Sequence, residues 1–250
     1  MKQSFLRIMT LSSRNVKEIL REPLSLVFMI IMPLVMQVGF YYLFHSQTSQ
    51  FDMKYLTPAI VVFSQSFLTL FTGTLISADR STTFLTRLFV SNAKPYEFLV
   101  SYVFAVLPIA FLQSILFFLV GSIIDFSIFS INVVVCLLTS VLSALFFINL
   151  GVLFGSLLAE KSIGGVSSIV IMGQSVLSGM WFPTEGLKGG FIVVMNLLPF
   201  RNSSLLIQNV LNGINDLKSN FLIPLFVVGV YSIVTFLISI FVFKRKVFLK

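Results

Sequence analysis

The chain has 250 residues, 57% of them hydrophobic and 10% charged, and a formal net charge of +8. A soluble globular domain carries about 25% charged residues, so this chain lacks the polar surface to cover itself in water, and lipid is the solvent its composition requires. Its basic residues fall in short clusters between apolar stretches, not on one continuous face, which excludes nucleic-acid binding and fits segments lying against anionic lipid.

The pattern reads as an all-α integral membrane protein in two parts, an interface helix over residues 1–22 and a six-helix transmembrane domain over residues 23–250. From Gln3 to Arg21, plotted at 100° per residue, Phe5, Ile8, Met9, Ser12, Val16, Ile19 and Leu20 share one arc. Arg7, Arg14, Lys17 and Arg21 gather opposite. Such an amphipathic helix suits the headgroup plane, or the surface of a partner.

Six stretches then reach spanning length: Leu24 to Phe44, Thr57 to Ser77, Phe98 to Ile124, Ile131 to Leu158, Ser162 to Phe182, and Phe221 to Phe243. The first is too long for a cleaved signal peptide and lacks a small-residue cleavage site. Basic residues are retained on the cytoplasmic side of membrane proteins. With both chain ends inside, thirteen of the seventeen Lys and Arg residues are cytoplasmic, and only Lys54, Lys188, Arg201 and Lys218 lie outside.

Between Asp79 and Glu97, on the inner side, polar residues surround a short helical core of Phe84, Leu85, Leu88 and Phe89. Outside, from Pro183 to Asn220, the run Phe191 to Leu198 would be about 12 Å long as a helix and cannot span, so a re-entrant hairpin over about 183–213 is expected. Pro33 and Pro108 lie inside spans and are expected to bend them, their freed carbonyls being satisfied by neighbours. Gly151 and Gly155 permit a close approach by another helix, more plausibly of the same chain.

Between their ends the six spans contain no Asp, Glu, Lys, Arg or His. Proton-coupled carriers need an intramembrane ionisable group, so proton coupling through this chain is not expected. Nor is there a G-x-x-x-x-G-K-[ST] segment to cradle the phosphates of a nucleotide. The single His45 and single Cys136 exclude His-based metal sites, a disulfide within the chain and a thiolate cluster; Cys136 reads as a buried packing residue. The polar residues within the spans are neutral: Gln65, Thr69 and Thr72 in the second, Ser167, Gln174 and Ser178 in the fifth. They either glue helices together or wall a pathway.

This layout resembles the permease subunits of type 2 ATP-binding cassette exporters. Arg21-Glu22-Pro23 ahead of Met32-Pro33-Leu34 is similar to the start of that family's first helix. Asp79-Arg80 leading to Leu88 and Pro95 resembles its coupling segment, and Leu177-Ser178-Gly179-Met180-Trp181-Phe182-Pro183 with Leu198-Pro199-Phe200 its fifth helix and outer hairpin.

The resemblance implies a non-catalytic permease with no cofactor of its own, paired with a second permease, identical or related, in the cell membrane. ATP and Mg would sit on a separate ATPase. It further implies a coupling helix over about 83–91, with Thr83, Arg87, Leu88 and Ser91 docking on the ATPase and Arg7, Arg14, Lys17 and Arg21 at the interface beside it. Gln65, Thr69, Gln174 and Ser178 become candidates for the path, and Met180, Trp181 and Phe182 for an outer gate. Hydrophobic or amphipathic cargo, such as drugs, antimicrobial peptides or lipid-like molecules, suits the neutral helices. The alternatives are a permease for a glycan or lipid-linked glycan, and a membrane assembly protein without transport activity.

Overall fold

The computed structural model describes residues 2–21, 26–81, 94–182, 184, 187, 189–214 and 216–245, and no strand occurs among them. Besides two single-turn 3-10 helices, Ser49–Phe51 and Phe126–Ile128, nine longer helices follow in chain order among the described residues: α1 (Lys2–Leu20), α2 (Val27–Phe44), α3 (Met53–Ser81), α4 (Pro95–Ile124), α5 (Asn132–Leu157), α6 (Glu160–Leu177), α7 (Gly190–Leu197), α8 (Pro199–Asn212) and α9 (Lys218–Phe243). Five of them, α2, α3, α4, α5 and α9, are long and apolar enough to cross a bilayer. Where the sequence places a fifth crossing, α6 has 18 residues, or about 27 Å. Glu160, Lys161, Gln174 and its serines keep it out of that set of five.

α6 stops at Leu177, five residues short of the expected end, because Gly179 takes φ of +74°. A left-handed glycine just past the last turn is a common helix stop. Met180, Trp181 and Phe182 therefore lie beyond the helix. α7 and α8 meet at 72° around Leu198, where Pro199, which has no N–H to continue the ladder, opens α8.

The bundle is built around α3. Of its most apolar window 78% is buried, against 17% for α2 and 22% for α9, so α3 is the axis and the other two are peripheral. α3 packs chiefly on α5, then on α6, α4, α8 and α2, and α5 packs also on α9. Gly151 and Gly155 make the α3–α5 seam possible. A Cβ on Gly151 would sit 2.7 Å from the Thr69 carbonyl oxygen, and one on Gly155 2.7 Å from that of Gly73. The pair thus serves packing within the chain. Gly151→Val is expected to force the two helices apart and cost about 1–3 kcal/mol, read as a lower unfolding midpoint in detergent; a wild-type midpoint would refute this account of the seam.

Proline placement explains a set of side-chain amides, of which Gln113 is buried. Pro33 cannot donate to the Met29 carbonyl one turn earlier, and the chain there widens into a π-helical turn over Val27–Ile31. Gln113 of α4 supplies the missing donor, its Nε2 lying 2.9 Å from the Met29 oxygen. Pro58 likewise frees the Lys54 carbonyl, approached by Asn212 Nδ2 at 3.5 Å, while Gln208 Nε2 reaches the neighbouring Tyr55 oxygen at 3.1 Å. Pro224 frees that of Asn220, which accepts from Asn209 Nδ2 at 2.8 Å. The amides of α8 thereby fasten it to α3 and α9. For the buried Met29 carbonyl, within a span, no water can replace the Gln113 donor.

Candidate functional site

At the end of the bundle formed by α1, the last turn of α3 and the first turns of α4, charged groups converge. The Asp79 carboxylate is 4% exposed, a cost that only good pairing offsets. Arg14 of α1 grips it with both guanidinium nitrogens, at 2.7 and 2.5 Å, the planar two-bond geometry that Arg offers a carboxylate. The buried Tyr102 hydroxyl of α4 donates to the same carboxylate. Beside them Asn15 Nδ2 lies 3.3 Å from Ser101 Oγ. One turn earlier on α4, Glu97 accepts from the Ser4 hydroxyl and from the Lys94 N–H at 3.2 Å, with Arg7 at 3.6 Å.

These contacts turn α1 onto protein. Ser12, Asn15 and Ile19 form its buried side against α4, while Phe5, Leu6 and Leu20 stay exposed. The apolar arc expected from the sequence is therefore split, and two of the four arginines and lysines opposite it bind carboxylates instead of facing solvent. Lys17 and Arg21 remain exposed. Hydrogen bonding to Asp79 raises the Arg14 pKa above its ordinary value, outweighing partial burial. A cation raised in this way contributes its stability in full at every pH below its unfolded value, so Arg14 stays charged at neutral pH. Arg80, next along, donates to the carbonyls of Gly155 at 2.6 Å and Leu158 at 3.1 Å, a cation at the negative end of α5.

Halfway along the bundle, Gln65 and Thr69 are fully buried. Gln65 Nε2 is 3.2 Å from Ser114 Oγ and 3.1 Å from the Ser140 carbonyl, and its oxygen accepts from Ser143; Thr69 Oγ1 donates to the Phe147 carbonyl at 3.1 Å. Their hydrogen-bonding capacity is spent joining α3 to α4 and α5. Gln174 is buried too, with Nε2 3.4 Å from Ser204 Oγ of α8.

The opposite face of α3 is different. Phe67, Leu70, Phe71 and Thr74 lie about half a turn around the helix from Gln65 and Thr69 at 100° per residue. With Phe28 and Met29 of α2 and Ser168, Ile171 and Met172 of α6 they line an apolar groove of about 700 Å³. Among the described residues that line it, Glu160, at the start of α6, is the one charged residue. Eleven residues separate Glu160 from Ile171, so the groove runs about 16 Å along α6.

At the far end of the bundle, Trp181 stands edge-on to Phe40 and Phe63, with ring centroids 4.8 and 6.4 Å away, and its indole N–H donates to Ser175. Met180 is buried below it, and Phe182 is half-buried. Gln50 Nε2, in the loop between α2 and α3, holds the Gly179 carbonyl at 2.9 Å. Ser178 Oγ accepts from the Met180 N–H at 3.3 Å. Thr83, Arg87, Leu88 and Ser91 lie outside the described residues; α3 ends at Ser81 just before them and α4 begins at Pro95 just after.

The model of the ABC-2 type transporter family matches residues 7–211, from α1 to the last turn of α8. This chain belongs to that family. No curated protein matches the ABC-2 chain as a relative. Membership makes it the membrane component of an ABC transporter, which works with a nucleotide-binding partner, and agrees with the several apolar helices of a multi-pass membrane protein. In this ABC-2 component, sequence reasoning quoted Asp79 and Glu97 only as markers of a segment and missed Tyr102 as their neighbour. Glu97 had a signal, standing three residues after Lys94 in the capping position that satisfies a helix start. Tyr102 had none, since one tyrosine in an apolar run looks the same facing lipid or a carboxylate.

Proposed function

We propose that this chain is the permease subunit of an ATP-driven exporter, moving a hydrophobic or amphipathic molecule out of the cell with a separate ATPase chain that carries the ATP and Mg. The observation that carries this reading is the apolar groove along α6, which is open to a ligand while the polar face of α3 is sealed. The carboxylate of Glu160, at the α1 end, favours cargo with a positively charged head.

The end holding α1 and Asp79 faces the cytoplasm, as the distribution of basic residues supports. There α1, with Arg7, Arg14, Lys17 and Arg21, forms the interface beside the ATPase, its exposed Phe5, Leu6 and Leu20 in contact with lipid. The segment 83–91 docks on the ATPase, with Thr83, Arg87, Leu88 and Ser91 as the contacts. α7 and α8 form the re-entrant hairpin of the outer side, and Met180, Trp181 and Phe182 the gate there. The exposed apolar faces of α2, α6 and α9 meet lipid and a second permease, identical or related. The path runs from the groove to Ser178 at the outer end; Gln65, Thr69 and Gln174 support its walls.

The experiment is co-purification with a candidate ABC ATPase, followed by a screen for compounds that accelerate ATP hydrolysis. Arg87→Glu or Leu88→Gln is expected to lower the stimulated component about tenfold while the chain still inserts and folds. Normal ATP-dependent export by both variants would place the coupling contact elsewhere, and a chain that pumps cargo in liposomes alone would remove the ATPase from the scheme.

A further inference from the structure

Helix α6 differs from the other helices in how it is held. A Cβ on Gly73 of α3 would stand 3.0 Å from Ile163 Cγ2, and one on Gly173 3.6 Å from the Phe200 ring of α8, so α6 lies close against both helices. At 100° per residue Ile163, Ser167, Val170 and Gln174 share a stripe about 60° wide, on which Ser167 and Gln174 are fully buried. Yet among the described residues the one hydrogen bond from α6 to another helix is Gln174 Nε2 to Ser204 Oγ, at 3.4 Å. Ser167 Oγ and Gln174 Oε1 have no partner. Gln37, Gln113 and Asn149 also leave an amide oxygen unpaired, but their N–H groups bond across helix boundaries at 2.9 to 3.1 Å.

Burying a polar group without a partner costs its full desolvation, so the closed α6 seam carries a penalty that water reaching Ser167 and Gln174 would relieve. The same helix has a weak point just past its first turn. Gly164 and Gly165 are both exposed there, and nothing in the other described elements lies within 4 Å of where a Cβ would stand. Neither close packing nor a turn accounts for the pair, and glycine is, after proline, the least favourable residue inside a helix. Just beyond the two ends of α6, Arg80 holds the Leu158 carbonyl at 3.1 Å and Gln50 that of Gly179 at 2.9 Å. We infer that α6 is the moving helix of this chain: flexing at Gly164 and Gly165 between these pinned ends, its middle separates from α3 and α8 and admits water to Ser167 and Gln174. The groove on its flank widens with it, and only that link to cargo rests on the exporter reading.

The test uses the purified full chain in detergent, with Cys136→Ser so that each added thiol is the only one. Ser167→Cys on α6 is compared with Ser140→Cys on α5. Both sites are fully buried at similar depths from the nearer end of their helices, and Ser140 Oγ bonds only within its own helix. A small water-soluble maleimide is expected to modify Ser167→Cys about tenfold faster than Ser140→Cys. Gly164→Ala/Gly165→Ala is expected to slow the α6 reaction about fivefold and to leave the α5 reaction unchanged. Should Ser167→Cys fail to run as a monodisperse species, Gln174→Cys takes its place with the same expectation. Equal rates on the two helices overturn the inference, as does fast modification on α6 that the alanines leave unaltered. Were the glycine pair a contact for a second permease instead, the alanine variant would fall from dimer to monomer with its α6 rate unchanged, which also overturns it. No ATPase or cargo takes part, so failure here is read separately from failure of the exporter reading.

Discussion

Asp79→Ala is expected to cost about 3 kcal/mol of stability. The carboxylate is almost wholly buried and binds both Arg14 and Tyr102. Removing one partner of a buried ion pair leaves the other uncompensated, which costs about 3–5 kcal/mol where burial is complete. The lower end applies here because the Arg14 side chain keeps 32% exposure. Asp79→Asn retains an acceptor for the Tyr102 hydroxyl and is expected to lose less. The double variant Arg14→Met/Asp79→Ala removes both charges and should recover part of the loss; with Arg14→Met alone it completes a double-mutant cycle that measures the coupling directly. Unfolding midpoints of these variants and wild type in detergent make the comparison. Equal midpoints for wild type and Asp79→Ala would mean that the pair does not hold α1 in place. The functional counterpart is proteolysis after Arg21, which should accelerate in Asp79→Ala as α1 loses its anchor on α3 and α4.

How much of this was legible beforehand depends on what each residue needed in order to be understood. Span positions follow from long runs without charges, and α3, α4, α5 and α9 stand where those runs are. The glycine pair was legible because only small residues allow backbones to approach, and the approach is indeed to α3. That Pro33 frees a carbonyl was legible, yet the donor that meets it was not: Gln113 is 80 residues away, and nothing local in the sequence couples an amide on one helix to a carbonyl freed on another. The polar stripe on α3 was open to two readings because periodicity assigns a face without naming what lies against it. Packing places α4 and α5 on that face, so Gln65 and Thr69 join helices, while the groove opens on a phenylalanine face that in sequence is indistinguishable from a lipid-facing one. Helix α1 shows the same limit. Its arc was readable, but an arginine facing headgroups and one facing Asp79 occupy the same angular position.

Ser168→Trp is expected to lower ATP-driven transport about tenfold or more, with the permease still assembling with its ATPase. Ser168 lines the groove from α6, is exposed, and bonds only to the Gly164 carbonyl of its own helix, at 2.8 Å. No side-chain hydrogen bond to another element is therefore lost on replacement, and an indole at this position would fill groove space that cargo would need. Ser168→Ala, which leaves the volume open, should transport as wild type does. Steric exclusion and a polar role for the hydroxyl thus make opposite predictions for the alanine variant. Glu160→Gln separates a third contribution: if the carboxylate draws a cationic head to the groove, its loss should weaken transport of cationic amphiphiles several-fold and leave neutral ones unchanged, with the difference shrinking at high salt. Transport by Ser168→Trp at the wild-type rate would take the groove out of the path and return the question to the interface between permeases, where the exposed faces of α6 and α2 are the remaining walls.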